Sequence, residues 1–250
     1  MSDTKGASPV VTYVRAEINT KYADLLLLAC CFCSGLLDST MFNVEYNTFV
    51  SMQTGNTIFL GLGASKQDTR EYDWARSLTA IVCYALGSFI FSRINGYLGP
   101  KRRGTLVTAF LLQVVLIIIA AALIQSHVIT GDLADAHAAH YITHWDQEAV
   151  IVLLSMQSAG QTVASRVLGY NEVPTVVITS LLCDLMMDPK VFMLRNEKRD
   201  RRIAAFVLTL VGAIAGGWIS RATGNVWPAL WIIAGLKFFM AVALSFWHVK

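Results

Sequence analysis

The chain has 250 residues, 55% of them hydrophobic and only 15% charged, with a net charge of +3. Soluble globular domains average about 25% charged residues, so this composition, with a mean hydropathy of +0.52, excludes an ordinary water-facing surface. The small and dispersed positive charge also excludes a nucleic-acid binder.

In chain order, residues 1–21 are polar and contain Lys5, Arg15 and Lys21. They read as a cytoplasmic tail and not as a signal peptide, because the apolar run behind them leads to no small-residue cleavage site and soluble domain. The remainder, 22–250, reads as a single transmembrane domain. A helix needs about 20 apolar residues to cross the hydrocarbon core. Asp24 to Met41 nearly suffices. Asn47 to Ala64 is apolar but interrupted by Gln53, Thr54, Gly55 and Asn56. Leu78 to Asn95 and Gly104 to Ile124 follow. Beyond a polar loop at 126–148 come Ala149 to Leu168, a short segment from Val173 to Met187 that holds Pro174, then Ile203 to Ser220 and Val226 to Trp247. The expected fold class is all-α: a polytopic membrane bundle.

Shifting the chain by 125 residues lays these segments over one another in order, with halves at about 22–125 and 149–250. The coincident identities (Gly35 on Gly160, Thr54 on Thr179, Arg76 on Arg201, Gly87 on Gly212) are too few to carry weight in so biased a composition. The repeated order of span, broken segment, loop, span, span does carry weight. Short cytoplasmic loops accumulate Lys and Arg. That puts Arg93 with Lys101 to Arg103, and the run from Lys190 to Arg202, inside. The 126–148 loop has no Lys or Arg and belongs outside. Going from outside at Glu148 to inside at Lys190 needs an odd number of crossings, yet two apolar segments intervene. The short Pro174 segment is therefore expected to enter and leave on one side, and the Gln53–Asn56 segment likewise. Each half then crosses three times, the repeat is inverted, and both termini are cytoplasmic. Eight full crossings is the competing topology; it would put an arginine-rich loop outside or the His-rich loop inside.

Non-helical backbone at membrane depth must be buried in protein or line a wet cavity, and broken helices at matching places in two halves mark transporter sites. The expected pathway lining is therefore Gln53, Thr54, Gly55 and Asn56 with Thr175, Thr179 and Ser180. Close helix packing by small polar residues is the alternative. Asp38 lies inside a span, where a carboxylate suggests function, or else caps the next segment. Arg166 lies at comparable depth and would pair with Asp38 or snorkel to the headgroups. Gln157 and Gln161 share a helix face, for packing or pathway. Asp184 is a weaker candidate. His137, His140 and His144 fall on one helical face of the outside loop, yet a polar loop needs no metal, and none is expected. Cys30, Cys31, Cys33, Cys83 and Cys183 lack a second ligand pair and read as small hydrophobes.

Four strings go further: Ser34 to Asp38, Phe49 to Asn56 ending in Met-Gln-Thr-Gly-Asn, Gly160 to Arg166, and Glu172 to Ser180. Together they resemble the YoaK-type family of multi-pass membrane proteins, its fungal branch in particular, from about Tyr22 to the C-terminus. The resemblance implies an integral membrane protein and brings no activity with it.

The expected function is a small-solute or ion channel or transporter whose pathway runs between the two broken segments. The alternatives are a membrane-embedded enzyme using Asp38 or Asp184 on a lipophilic substrate, and an accessory subunit. No catalytic set, cofactor or ATP-binding motif is expected, so uphill transport would need an ion gradient or a partner. The expected partners are the lipid bilayer and an unidentified small solute or ion, with homo-oligomerisation left open.

Overall fold

The computed structural model of the chain describes residues 8–43, 46–67, 72–132 and 145–249. Its elements are α1 (Pro9–Arg15), α2 (Ala23–Asn43), α3 (Gln53–Ala64), α4 (Asp73–Leu98), α5 (Arg103–Gln125), α6 (Gln147–Leu168), α7 (Ile178–Met186), α8 (Glu197–Thr223) and α9 (Trp227–Ser245). β-type pairing is confined, among the described residues, to three isolated bridges. The histidine face at 137–144 lies outside the described residues.

Six helices (α2, α4, α5, α6, α8, α9) have 19 to 27 residues. At 1.5 Å per residue they reach about 28–40 Å, enough for the hydrocarbon core. With 12 and 9 residues, α3 and α7 reach only about 18 and 14 Å and cannot cross. Five of the six long helices are also apolar enough to span a membrane. The exception, α6, is wrapped by α2, α4 and α5 and buries Ser155, Gln157, Ser158, Gln161 and Ser165. A helix surrounded by protein need not be apolar. Those that meet lipid are: α4 exposes Leu78, Val82, Leu86 and Phe89, and α8 exposes Ile203, Val207, Val211 and Ile214, each set one helical stripe wide.

The ends of the bundle are tied separately. At one end Glu17 bridges to Arg102 and Ile18 to Val249, Tyr170 donates to the Thr20 carbonyl at 2.7 Å, and Arg201 meets Asp24 at 2.8 Å. At the other, Asp132 bridges to Asn225, Tyr46 donates to the Thr130 carbonyl, Asn47 to Asp73, and Gln147 to Thr130. The six long helices each join one end to the other. The chain around α3 leaves and returns at the Asp73 end, and the chain around α7 at the Arg201 end. Three crossings per half put the halves in opposite directions. The N-terminal stretch is more than a tail: α1 packs on α5, and Ile18 is fully buried.

The repeat is visible in register. The first-half helices start at Ala23, Gln53, Asp73 and Arg103, and those of the second half at Gln147, Ile178, Glu197 and Trp227, 124 or 125 residues later. Their packing exchanges too: α2 lies on α8 as α6 lies on α4, α3 on α4 as α7 on α8, and α5 meets α9. Glycines set the first of these contacts. A Cβ on Gly35 would stand 2.0 Å from the Thr209 carbonyl oxygen, and one on Gly212 would stand 2.2 Å from that of Phe32. Their shifted counterparts, Gly160 and Gly87, face Phe91 and Met156 across the α4–α6 contact.

Candidate functional site: a cavity between two half-helices

Residues 46–52, between α2 and α3, are not helical because polar side chains take over their backbone groups. The Asp38 carboxylate, near the end of α2, accepts the Val50 and Ser51 N–H groups at 3.0 and 2.9 Å, and its second oxygen accepts the Ser51 hydroxyl. Asn56, one turn into α3, is fully buried. Its oxygen accepts the Phe49 N–H and the Thr48 hydroxyl, and its amide donates to the Phe49 carbonyl at 2.6 Å and to Gln53. This is how non-helical backbone survives at membrane depth. Gly55 lies within α3 and is not the break itself; its missing side chain makes room for Phe49, whose ring would lie 2.7 Å from a Cβ there. Asp38 and Asn56 thus hold the loop. An Asp38→Ala substitution would leave two buried N–H groups without an acceptor, at about 1–3 kcal/mol each. We expect Asp38→Ala to lower the thermal unfolding temperature in detergent clearly more than Asp38→Asn, which keeps an acceptor oxygen. Equal losses would remove this role.

The second break is built differently. Ser165 of α6 donates to the Val173 carbonyl at 2.7 Å, and Pro174 brings no N–H to satisfy. Thr175 sits in the left-handed region at φ 61°. It is buried, and its hydroxyl has no hydrogen-bond partner among the described residues. The helix begins only at Ile178, four residues after the proline.

The two breaks border a partly open cavity of about 280 Å³. Ser51 to Gly55 line one side, Val176 to Thr179 the other, and Tyr84 of α4 stands between them. Neither Met52 nor Val177, the residues preceding α3 and α7, caps its helix with a side chain. Two uncapped helix N-termini, each with free N–H donors and a partial positive charge, therefore begin at this cavity, and no charged side chain is in its lining.

Of the sequence candidates, Gln53, Thr54, Gly55 and Thr179 line the cavity. Asp38, Asn56 and Thr175 belong to the chain segments leading to it. Ser180 and Asp184 are exposed on α7. Arg166 is exposed and donates to Asn171, so it does not pair with Asp38. Gln161 donates to Ser34 at 2.7 Å and to the Cys30 carbonyl, and Gln157 donates to Ser158; both pack α6. All five cysteines are free: Cys30, Cys31 and Cys33 are buried, Cys83 is half-buried and Cys183 exposed. Among the described residues no three His, Cys, Asp or Glu side chains group as a metal site.

A family model described as "protein of unknown function (DUF1275)" matches residues 26–243. The chain belongs to the DUF1275 family. The matched span includes both half-helices and every residue lining the cavity, so the site lies in what the DUF1275 model covers. A curated relative, the UPF0700 transmembrane protein YoaK of Bacillus subtilis (strain 168), is 26% identical over 201 residues, 77% of this chain and 82% of the relative. That relative is bacterial; the resemblance to a fungal branch rests on the motif strings alone. No solved structure matches the chain.

One polar residue of this DUF1275 member escapes a reading based on apolar runs. Lys237, at the middle of α9, is fully buried and donates to Gln113 of α5 and Gln157 of α6, each at 2.7 Å. The sequence did contain a signal: Lys237 is the one charged residue between Val226 and Trp247, and ionisable groups at that depth are functional by default.

Proposed function

We propose that this membrane protein is a channel or transporter for a small solute or ion, with its pathway between α3 and α7 and its Lys- and Arg-rich end in the cytoplasm. The observation that supports this most directly is the shared cavity: two chain segments 125 residues apart contribute its walls from opposite ends of the bundle. Its lining is neutral, with hydroxyls from Thr54 and Thr179 and an amide from Gln53, while the Ser51 and Tyr84 hydroxyls donate to Asp38 and Thr162. Together with two uncapped helix N-termini, this lining favours a solute that accepts hydrogen bonds, an anion included. The cytoplasmic placement is supported by Lys101 to Arg103 and Lys190 to Arg202 lying at the same end as both termini. An enzyme would need Asp38 beside a second ionisable group; the carboxylate is instead occupied by Val50 and Ser51.

The test is flux through purified protein in proteoliposomes, with chloride, formate and glycerol as probes. Thr54→Trp and Thr179→Trp place a large ring in the cavity from either wall. Wild-type protein should pass at least one probe, and both variants should fall to the level of empty vesicles while remaining folded. Wild-type protein silent to all three, or variants that conduct normally, would overturn the proposal.

A further inference from the structure

The connection from α7 to α8 is firmly built, yet it turns its apolar side chains outward. Asp188 accepts the Lys190 N–H at 2.9 Å and the Asn196 amide at 3.0 Å, and meets Arg202 at 3.3 Å. The Asn196 bond, with the others, holds the Asp188 carboxyl below the usual carboxylate range, so it stays an acceptor. Asn196 also caps α8 through the Arg199 N–H, and the Arg199 guanidinium donates to the Val191 and Met193 carbonyls. On this scaffold Phe192 and Leu194 are 97% and 99% exposed, with Met186, Met187 and Met193 exposed beside them. A loop facing only water has no reason to present five such side chains.

Charge says what covers them. The three carboxylates within the connection and the first turn of α8 are taken: Asp188 by Arg202, Asp200 by Arg199 and Glu197 by Arg201; Asp184 is exposed farther back on α7. Lys190, Arg195 and Lys198 are exposed, and among the described residues none of the three forms an ion pair. In sequence, Ser65 to Glu71, which lies 125 residues before Lys190 to Asn196, contains no apolar residue. Apolar side chains ringed by unpaired cations suit the boundary of a leaflet with anionic headgroups.

We propose that the Met186–Leu194 loop is a binding site for anionic phospholipid, with Phe192 and Leu194 in the acyl boundary and Lys190, Arg195 and Lys198 on the headgroup phosphates. Because α7 runs from this loop to Val177–Thr179 at the cavity, leaflet charge would bias the position of that wall; this consequence rests on the pathway reading, whereas the lipid site does not.

The experiment places an NBD fluorophore on Phe192→Cys, and separately on Leu194→Cys, in a Cys83→Ala/Cys183→Ser background. The protein is reconstituted in vesicles of phosphatidylcholine, with or without phosphatidylglycerol. We expect the label to be shielded from aqueous dithionite and quenched by nitroxide lipids, more so with phosphatidylglycerol. Lys190→Gln/Arg195→Gln/Lys198→Gln should remove that increment, since each basic residue near an anionic surface contributes about fivefold in lipid preference. A label open to dithionite and unquenched by lipid would overturn the proposal. A label shielded from both would also overturn it, in favour of a protein partner or a second copy. Neither readout requires flux, so a silent cavity leaves the result intact.

Discussion

Gly212→Ala and Gly35→Ala should each destabilise the protein by about 3–5 kcal/mol, the range reserved for severe core defects. At both positions the added methyl would fall on main chain. From Gly212 it would reach the Phe32 carbonyl oxygen at 2.2 Å and the Leu36 nitrogen at 3.0 Å; from Gly35, the Thr209 carbonyl oxygen at 2.0 Å. A side chain could rotate away, but these atoms belong to α2 and α8 themselves, so the helices must separate. Gly216 extends the same seam, with its Cβ position 2.6 Å from the Leu36 carbonyl. In a bilayer, helices associate through close van der Waals packing and not through hydrophobic exclusion, so separating two backbones removes most of what joins them.

Controls are available in two other long helices, α4 and α9. A Cβ on Gly96 or Gly235 would meet nothing within 4 Å, and alanine is the better helix former by about 1 kcal/mol. Gly96→Ala and Gly235→Ala should therefore be neutral or stabilising. Gly160→Ala should fall between, because its neighbour is the Phe91 ring, which can tilt. Denaturant unfolding in detergent would give the order. Loss of equal size at Gly212 and Gly235 would show that the close α2–α8 approach does not set the cost at Gly212.

Much of this was legible before the structure. Apolar runs located every long helix, and the parity of basic loops singled out the two that do not cross. Even the four identities at a shift of 125, too few to argue from, fall on equivalent structure. Gly35 and Gly212 form one helix contact while Gly160 and Gly87 form its counterpart, Thr54 and Thr179 face each other across the cavity, and Arg201 reaches Asp24 as Arg76 acts on Glu148. What could not be read was which polar groups would be used up by their neighbours. Asp38 and Asn56 look from sequence like pathway residues, and their bonds to Val50, Ser51 and Phe49 show that they hold the chain beside it. Polarity is a property of one residue, whereas availability depends on what the fold sets against it. α6 was read as an ordinary span, yet its polarity marks it as a helix enclosed by others.

Breaking the Lys237 network should produce losses that reverse in combination. Gln113 and Lys237 stand 124 residues apart, at equivalent places in α5 and α9, and meet where those helices pack. Gln157 supplies the second acceptor. Gln157→Leu would leave the amine with one partner in a site closed to water, and a buried group so orphaned costs about 1–3 kcal/mol. Lys237→Met keeps most of the volume while removing the donor, and replacing a buried ionisable group by an apolar one is often neutral or stabilising. Adding Lys237→Met to Gln157→Leu should therefore restore part of the lost stability, offset by the Gln113 oxygen left without its donor, a coupling that a double-mutant cycle measures directly. Simple addition of the two losses would mean that lysine and glutamine act as independent packing elements. Recovery would show that the buried amine requires the Gln157 acceptor across the α6–α9 contact.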